Sequence, residues 1–129
     1  MAEILIVDDD DVIRDTLDEL LSSEHQCKTA ETAEKALDKL AAATFDVVLT
    51  DISMPGLSGR AVLQRVLQHY PHTPVIIISG FSDQERAEEL LELGAFDYLL
   101  KPFRLEVVEK SVKRALELRR GLLTNQSSV

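Results

Sequence analysis

Short apolar runs recur along the chain, and each is followed by a stretch whose apolar positions fall three and four residues apart. The first run is Ile4-Leu5-Ile6-Val7; residues 26–30, which are more polar, are a weaker candidate for the second strand. The third covers residues 46–50, the fourth 75–79 and the fifth 96–100. Continuous apolar runs, as opposed to alternating ones, predict strands buried on both faces. The intervening stretches predict helices. The first carries Val12, Ile13, Leu17, Leu20 and Leu21 and closes at Ser22 and Ser23. Thr32 should cap the second, which runs through residue 42 with Ala33, Ala36, Leu37 and Leu40 inward. Ser58 should cap the third, which carries Ala61, Val62, Leu63, Val66 and Leu67, before Pro71 and Pro74 punctuate its exit. Ser82-Asp83-Gln84-Glu85 has the spacing of a capping box for the fourth, and Gly94 should end it. The last helix follows Lys101-Pro102-Phe103 and should reach Arg120, with Gly121 as its stop. Strand and helix alternating five times predict an α/β fold: a parallel sheet with helices on both faces.

The length of 129 residues fits one domain, taken as residues 1–121, with 122–129 a flexible tail or the start of a linker. At 45% hydrophobic and 29% charged residues the chain reads as globular and not disordered. Its apolar runs are too short to span a bilayer, and no basic segment followed by an apolar run marks a signal peptide. The single cysteine, Cys27, leaves no internal disulfide and fits a reducing, cytoplasmic setting. A net charge of −9 argues against nucleic acid as a partner of this domain, while allowing a cation site and basic partners.

Parallel strands bring their carboxyl ends to one rim, where open α/β sheets bind ligands. Here those ends carry Asp8 and Asp9, then Asp51, Ser79 and Lys101. Three carboxylates on one rim repel one another, and Mg2+, a hard cation that prefers oxygen ligands, relieves that repulsion. A carboxylate nucleophile, a cation site, a lysine and a hydroxyl are the equipment of phosphoryl transfer. Singly, these residues have plainer readings. Asp10 and Asp11 suit a helix start, where acids meet the positive end of the dipole. Asp51 alone would be a turn residue, and Tyr98 a half-buried strand aromatic. His25, His69 and His72 lack the spacing of zinc ligands and read as surface residues.

Four stretches in register resemble the receiver domain of two-component response regulators. They are Ile4 to Asp9, Asp51-Ile52-Ser53-Met54-Pro55-Gly56-Leu57-Ser58-Gly59, Pro74-Val75-Ile76-Ile77-Ile78-Ser79-Gly80, and Gly94-Ala95-Phe96-Asp97-Tyr98-Leu99-Leu100-Lys101-Pro102-Phe103. The resemblance implies a flavodoxin-like, doubly wound (βα)5 fold with strand order 2-1-3-4-5. It implies Asp51 as phospho-acceptor, served by a histidine kinase or phosphotransfer protein. Mg2+, with Mn2+ as a substitute, would be held by Asp8, Asp9, Asp51 and the backbone carbonyl of Ser53. Lys101 would pair with Asp51 and then with the phosphoryl oxygens. Ser79 and Tyr98 would be the switch pair, and the peptide before Pro102 would be cis. The surface of helix four, strand five and helix five would be the switched face, serving a homodimer or other partner. The domain would catalyse only its own phosphorylation and dephosphorylation.

The chain departs from the family pattern in a few places. Ser53 stands where many relatives have Asn, and Gly80-Phe81 follows the switch hydroxyl. Phe81 at the rim is expected to affect how fast water removes the phosphoryl group. Arg104 replaces the usual small residue at the start of the last helix. The main alternative is a haloacid dehalogenase-type phosphatase, because Asp8-Asp9-Asp10-Asp11-Val12 fits Asp-x-Asp-x-Val, with Asp8 as nucleophile and Asp10 as acid/base. It leaves the turn at Met54-Pro55 unexplained and lacks a late acidic pair. A flavodoxin-like cofactor binder conflicts with four aspartates where a phosphate loop belongs. A receiver reduced to an interaction surface conflicts with the intact set of site residues.

Overall fold

The computed structural model describes residues 2–54 and 56–127. Five strands alternate with five helices: β1 (Glu3–Val7), α1 (Asp11–Ser22), β2 (Gln26–Ala30), α2 (Ala33–Ala42), β3 (Val47–Asp51), α3 (Gly59–His69), β4 (Val75–Ser79), α4 (Gln84–Leu93), β5 (Asp97–Leu100) and α5 (Leu105–Ser127). The strands form one parallel sheet in the order β2-β1-β3-β4-β5. This is the doubly wound, flavodoxin-like arrangement expected from the sequence.

The apolar runs fill both faces of the sheet, which is why they do not alternate with polar residues. Leu5, Val7, Val48 and Ile77 face α2, α3 and α4, where they meet Ala36, Leu40, Val62, Val66 and Leu90. Ile4, Ile6, Leu49, Ile76 and Ile78 point the other way, onto Leu17 and Leu21 of α1 and Val108, Val112 and Ala115 of α5. Each fully buried Leu or Ile contributes about 1.5–3 kcal/mol relative to exposure. Val12, grouped with the inner face of the first helix by its spacing, is 71% exposed; it lies in the first turn, ahead of the buried Leu17 and Leu21.

Several helix ends follow local chemistry. Thr32 caps α2, its hydroxyl accepting from the Lys35 amide at 3.1 Å. Asp10 caps α1 by accepting from the amides of Val12 and Ile13. Gly94 adopts φ 132° past α4 and donates to the carbonyls of Leu90 and Leu91. A side chain there would be strained by the backbone and crowded against Leu67.

Other ends differ from expectation. Ser58 holds the N-cap position of α3 but makes no side-chain cap bond. The capping box at Ser82 does not form, because residues Phe81–Asp83 make a tight 3-10 turn and α4 begins at Gln84. The Asp83 amide donates to Gly80, which closes that turn. The last helix runs through Gly121 to Ser127, because nothing there requires the left-handed backbone that makes glycine a stop signal. Pro55 and the last two residues of the proposed tail lie outside the described residues.

Candidate functional site

Strand register builds the rim. Val7 pairs with Thr50, Asp51 with Ile78, and Ser79 with Leu100. Asp8 therefore comes level with Asp51, while Ser79 and then Lys101 lie progressively further out. Backbone bonds continue the ladder past the strands: Ile52 donates to Ile78 at 3.1 Å and Lys101 to Ser79 at 2.8 Å. The Lys101–Pro102 peptide is cis, as expected.

Asp8, Asp9 and Asp51 each present a carboxylate oxygen within 4.8 Å of the others'. Asp8 and Asp51 are buried, and Asp9 is exposed. Asp8 Oδ1 accepts from the Asp10 amide at 2.9 Å, which leaves Oδ2 aimed at the rim. The ammonium of half-buried Lys101 lies 3.1 Å from Asp8 Oδ2 and 3.5 Å from Asp51 Oδ1. Neither that Asp8 oxygen nor the fully buried Ser79 hydroxyl has a hydrogen-bond partner among the described residues; at Asp8 the lysine is near enough for charge attraction but poorly aligned. Two unsatisfied buried oxygens at one spot are costly unless a ligand completes them.

Electrostatics records the crowding. Burial, then the neighbouring Asp8 carboxylate, pushes the Asp51 carboxyl up to about 7 against the opposing pull of Lys101. Burial likewise raises Asp8, although the Asp10 amide and Lys101 pull it down. Burial works against the Lys101 charge, but Asp51 and Asp8 outweigh it and the ammonium is held more firmly protonated. Three carboxylates face a single ammonium across this rim.

Further contacts fix the frame. Arg14 Nη1 donates to the backbone carbonyl of Asp8 at 2.8 Å, and Nη2 pairs with Asp11. Arg14 thereby clamps the loop that carries Asp8 and Asp9. The sequence hinted at this only through an arginine one turn into a helix that follows an acidic loop. Gly59 opens α3 directly over Asp51, where any Cβ would collide with the Asp51 backbone carbonyl. Tyr98 is half-buried on β5 and packs against the core beneath α2, α3 and α4. Ser53 lies exposed just beyond Asp51. His25, expected at the surface, is partly buried, and its Nδ1 accepts from the Ala2 amide at 3.3 Å. The Phe81 side chain lies outside the described residues.

The sequence matches the family profile of the response regulator receiver domain over residues 4–113. It is 43% identical over 112 residues to the DNA-binding transcriptional regulator NtrC of Klebsiella pneumoniae, covering 86% of this chain and 24% of that protein. It is 38% identical over 114 residues to the response regulator protein FleR of Pseudomonas aeruginosa, covering 88% of this chain and 24% of that one. It spans about a quarter of the length of these curated relatives. The fold superposes on a response regulator receiver domain protein from Clostridium thermocellum with a TM-score of 0.88 at 32% identity, covering 95% of this chain and 99% of that one. The phosphatase alternative finds no support in these matches, and Asp10, its required acid/base, is engaged in capping α1. The chain belongs to the response regulator receiver domain family and is a signalling module of two-component systems.

Proposed function

We propose that Asp51 is the residue phosphorylated, by a histidine kinase or phosphotransfer protein, and that the domain catalyses both the gain and the loss of that group. The observation that carries this reading is the convergence of three carboxylates within 4.8 Å with a lysine at 3.1 and 3.5 Å beside an unpartnered serine hydroxyl. An Asp51 oxygen attacks the phosphorus of a phosphoimidazole. The O–P bond forms as the P–N bond breaks, and the leaving imidazole takes up a proton. Loss of the group is a separate displacement: water attacks phosphorus, the acyl phosphate P–O bond breaks, Asp51 returns to a carboxylate, and inorganic phosphate departs as the water gives up a proton to solvent. Lys101 stands where it can neutralise the transferred oxygens, and Ser79 has a free hydroxyl to donate to one of them.

The donor set also fits Mg2+ or Mn2+. It is all oxygen, and Asp8, Asp9 and Asp51 each present a carboxylate oxygen to it. Asp8, Asp9, Asp51 and the Ser53 carbonyl would hold the ion. When bound it supplies charge neutralisation that keeps Asp51 ionised and screens the incoming phosphoryl group.

Among the described residues no helix is long and apolar enough to cross a membrane. The output face is α4, β5 and α5. Glu85, Glu88, Glu89 and Glu92 are exposed on α4 against Arg86, and Lys110, Lys113 and Arg120 are exposed on α5 against Glu106, Glu109 and Glu117, while Arg114 lies 3.7 Å from Asp97 of its own chain. In a two-fold pair the acidic helix of one copy would meet the basic helix of the other, with Tyr98 between them. Arg119 does not join that face, since it is bound within its own subunit. Ser79 moving toward the phosphoryl group would let Tyr98 turn inward and shift the population of the paired form.

Intact-mass analysis after incubation with acetyl phosphate and Mg2+ tests the acceptor. Wild type should gain one phosphoryl group, lose it slowly in buffer, and gain none without the metal. Asp51→Asn should gain none. Equal labelling of the variant overturns the assignment. Sedimentation with beryllofluoride should show a salt-sensitive dimer; a monomer throughout would leave the face to another partner.

A further inference from the structure

Asp83 stands at the N-cap of α4, yet its carboxylate caps nothing. An N-cap aspartate normally accepts from the first amides of its own helix, a contact worth about 1 kcal/mol. Here Asp83 Oδ2 instead accepts from the Ser53 hydroxyl at 3.2 Å, across thirty residues of sequence. Arg86, in the first turn of α4, donates to the same Ser53 oxygen at 3.4 Å and lies 3.9 Å from Asp83 Oδ1. The three side chains close a small ring. It joins the loop leaving Asp51 to the segment leaving Ser79. The Asp83 side chain is 22% exposed, whereas Arg86, at 65%, and Ser53 stand at the surface. The backbone of Asp83 belongs to the 3-10 turn that runs into α4, which leaves its carboxylate free to reach the distant loop.

We propose that Asp83 and Arg86 are positioning residues for the phosphoryl site. They hold Ser53 by its hydroxyl and so fix the backbone of the loop beside Asp51, including the carbonyl offered to the cation. They also make that loop and the first turn of α4 move as one piece. A change at Asp51 then reaches α4 through side chains as well as through Ser79. This inference rests on the reading of Asp51 as acceptor, and it adds residues on a different element to that site.

Amide hydrogen exchange by NMR on the metal-free protein tests the ring directly. Losing one hydrogen bond of this kind should speed exchange at Ile52 and Gly59, the loop amides that donate to the carbonyls of Ile78 and Ile52, by about fivefold in Ser53→Ala or Asp83→Ala. Exchange at Leu49 and Ile77 in the sheet should stay unchanged. Mg2+ affinity, followed by titration, should fall by a similar factor. The double variant should be no worse than either single one, because both remove the same contact. Asp83→Asn, which keeps an acceptor oxygen, and Ser53→Thr, which keeps the hydroxyl, should restore slow exchange. Unchanged exchange and affinity in both alanine variants, or strictly additive effects, would overturn the proposal. If wild type takes no phosphate at Asp51, the acceptor reading fails instead, and the exchange data still report on the ring.

Discussion

The ammonium of Lys101 stands 3.1 Å from Oδ2 of Asp8, a carboxylate with no exposed surface. Before any cation arrives, the lysine is thus the counter-charge of the deepest acid on the rim. It sits slightly further, at 3.5 Å, from Asp51. A buried carboxylate stripped of its partner is strongly destabilising, and it escapes by taking up a proton.

Lys101→Met should therefore destabilise the metal-free domain by about 2–3 kcal/mol at pH 8, after allowance for the lysine's partial exposure. The substitution raises the folded-state pKa of Asp8 further. Its penalty is smallest where the folded protein already holds Asp8 protonated, and it grows as pH rises through the folded value. Urea unfolding at pH 4.5 and pH 8 with a chelator measures this. A penalty equal at both pH values would mean that the lysine is held there by packing alone.

Asp51 sets the pH dependence of the metal-free fold. Its pKa lies at about 7 in the folded chain against an ordinary value of 3.8. Between those values the folded state keeps a proton that the unfolded chain has released. Stability then falls as pH rises through that window and levels off above it. Asp51→Asn removes the group, and should stabilise the metal-free domain by on the order of 2 kcal/mol at pH 8 and by nearly nothing near pH 4. Mg2+ should stabilise wild type more than the variant, because an ion that binds only the folded form adds stability by mass action. Chemical denaturation of both proteins across pH 4–8, with chelator and with Mg2+, gives the comparison. A wild type whose metal-free stability rises from pH 5 to pH 8 contradicts the raised carboxyl.

Much of this was legible in the sequence because its strongest signals are local. Ile4 to Val7 and Val75 to Ile78 announced strands buried on both faces, and parallel order followed from the alternation with helices. Asp51 and Lys101 were legible because each ends such a run. What the sequence could not supply was side-chain traffic between distant loops. Ser82 carried a capping signature, but Phe81–Asp83 tightened into a 3-10 turn and Asp83 turned to Ser53. Gly121 looked like a stop, but a glycine ends a helix only where the chain must turn into the left-handed region. Arg14 and Arg119 carry no local signature in the sequence, and both are clamps on backbone carbonyls.

Arg119 carries the last prediction. At the amino end of the sheet its Nε donates to Asp46 Oδ1 at 2.7 Å, and its Nη1 reaches the His72 carbonyl at 3.0 Å and the Thr73 hydroxyl at 3.3 Å. Asp46 Oδ2 in turn accepts from the Glu3 amide at 2.7 Å. One guanidinium thus ties α5 to the entries of β1, β3 and β4, with its side chain only 14% exposed. The planar fork serves acceptors in separate directions, which a single ammonium cannot do. Arg119→Lys should recover little of the contact, and Arg119→Met none. Each should lower stability, by about 1–2 and 2–3 kcal/mol respectively, because the partly buried Asp46 loses its charged donor. Damage should concentrate in α5: amide exchange should accelerate from Leu116 onward while Val108 and Val112, packed on the sheet, hold. Phosphorylation at the opposite rim should proceed at the wild-type rate. If exchange rises evenly along α5 and in the sheet, the arginine is an ordinary contributor to the core and not the fastening of the helix's far end.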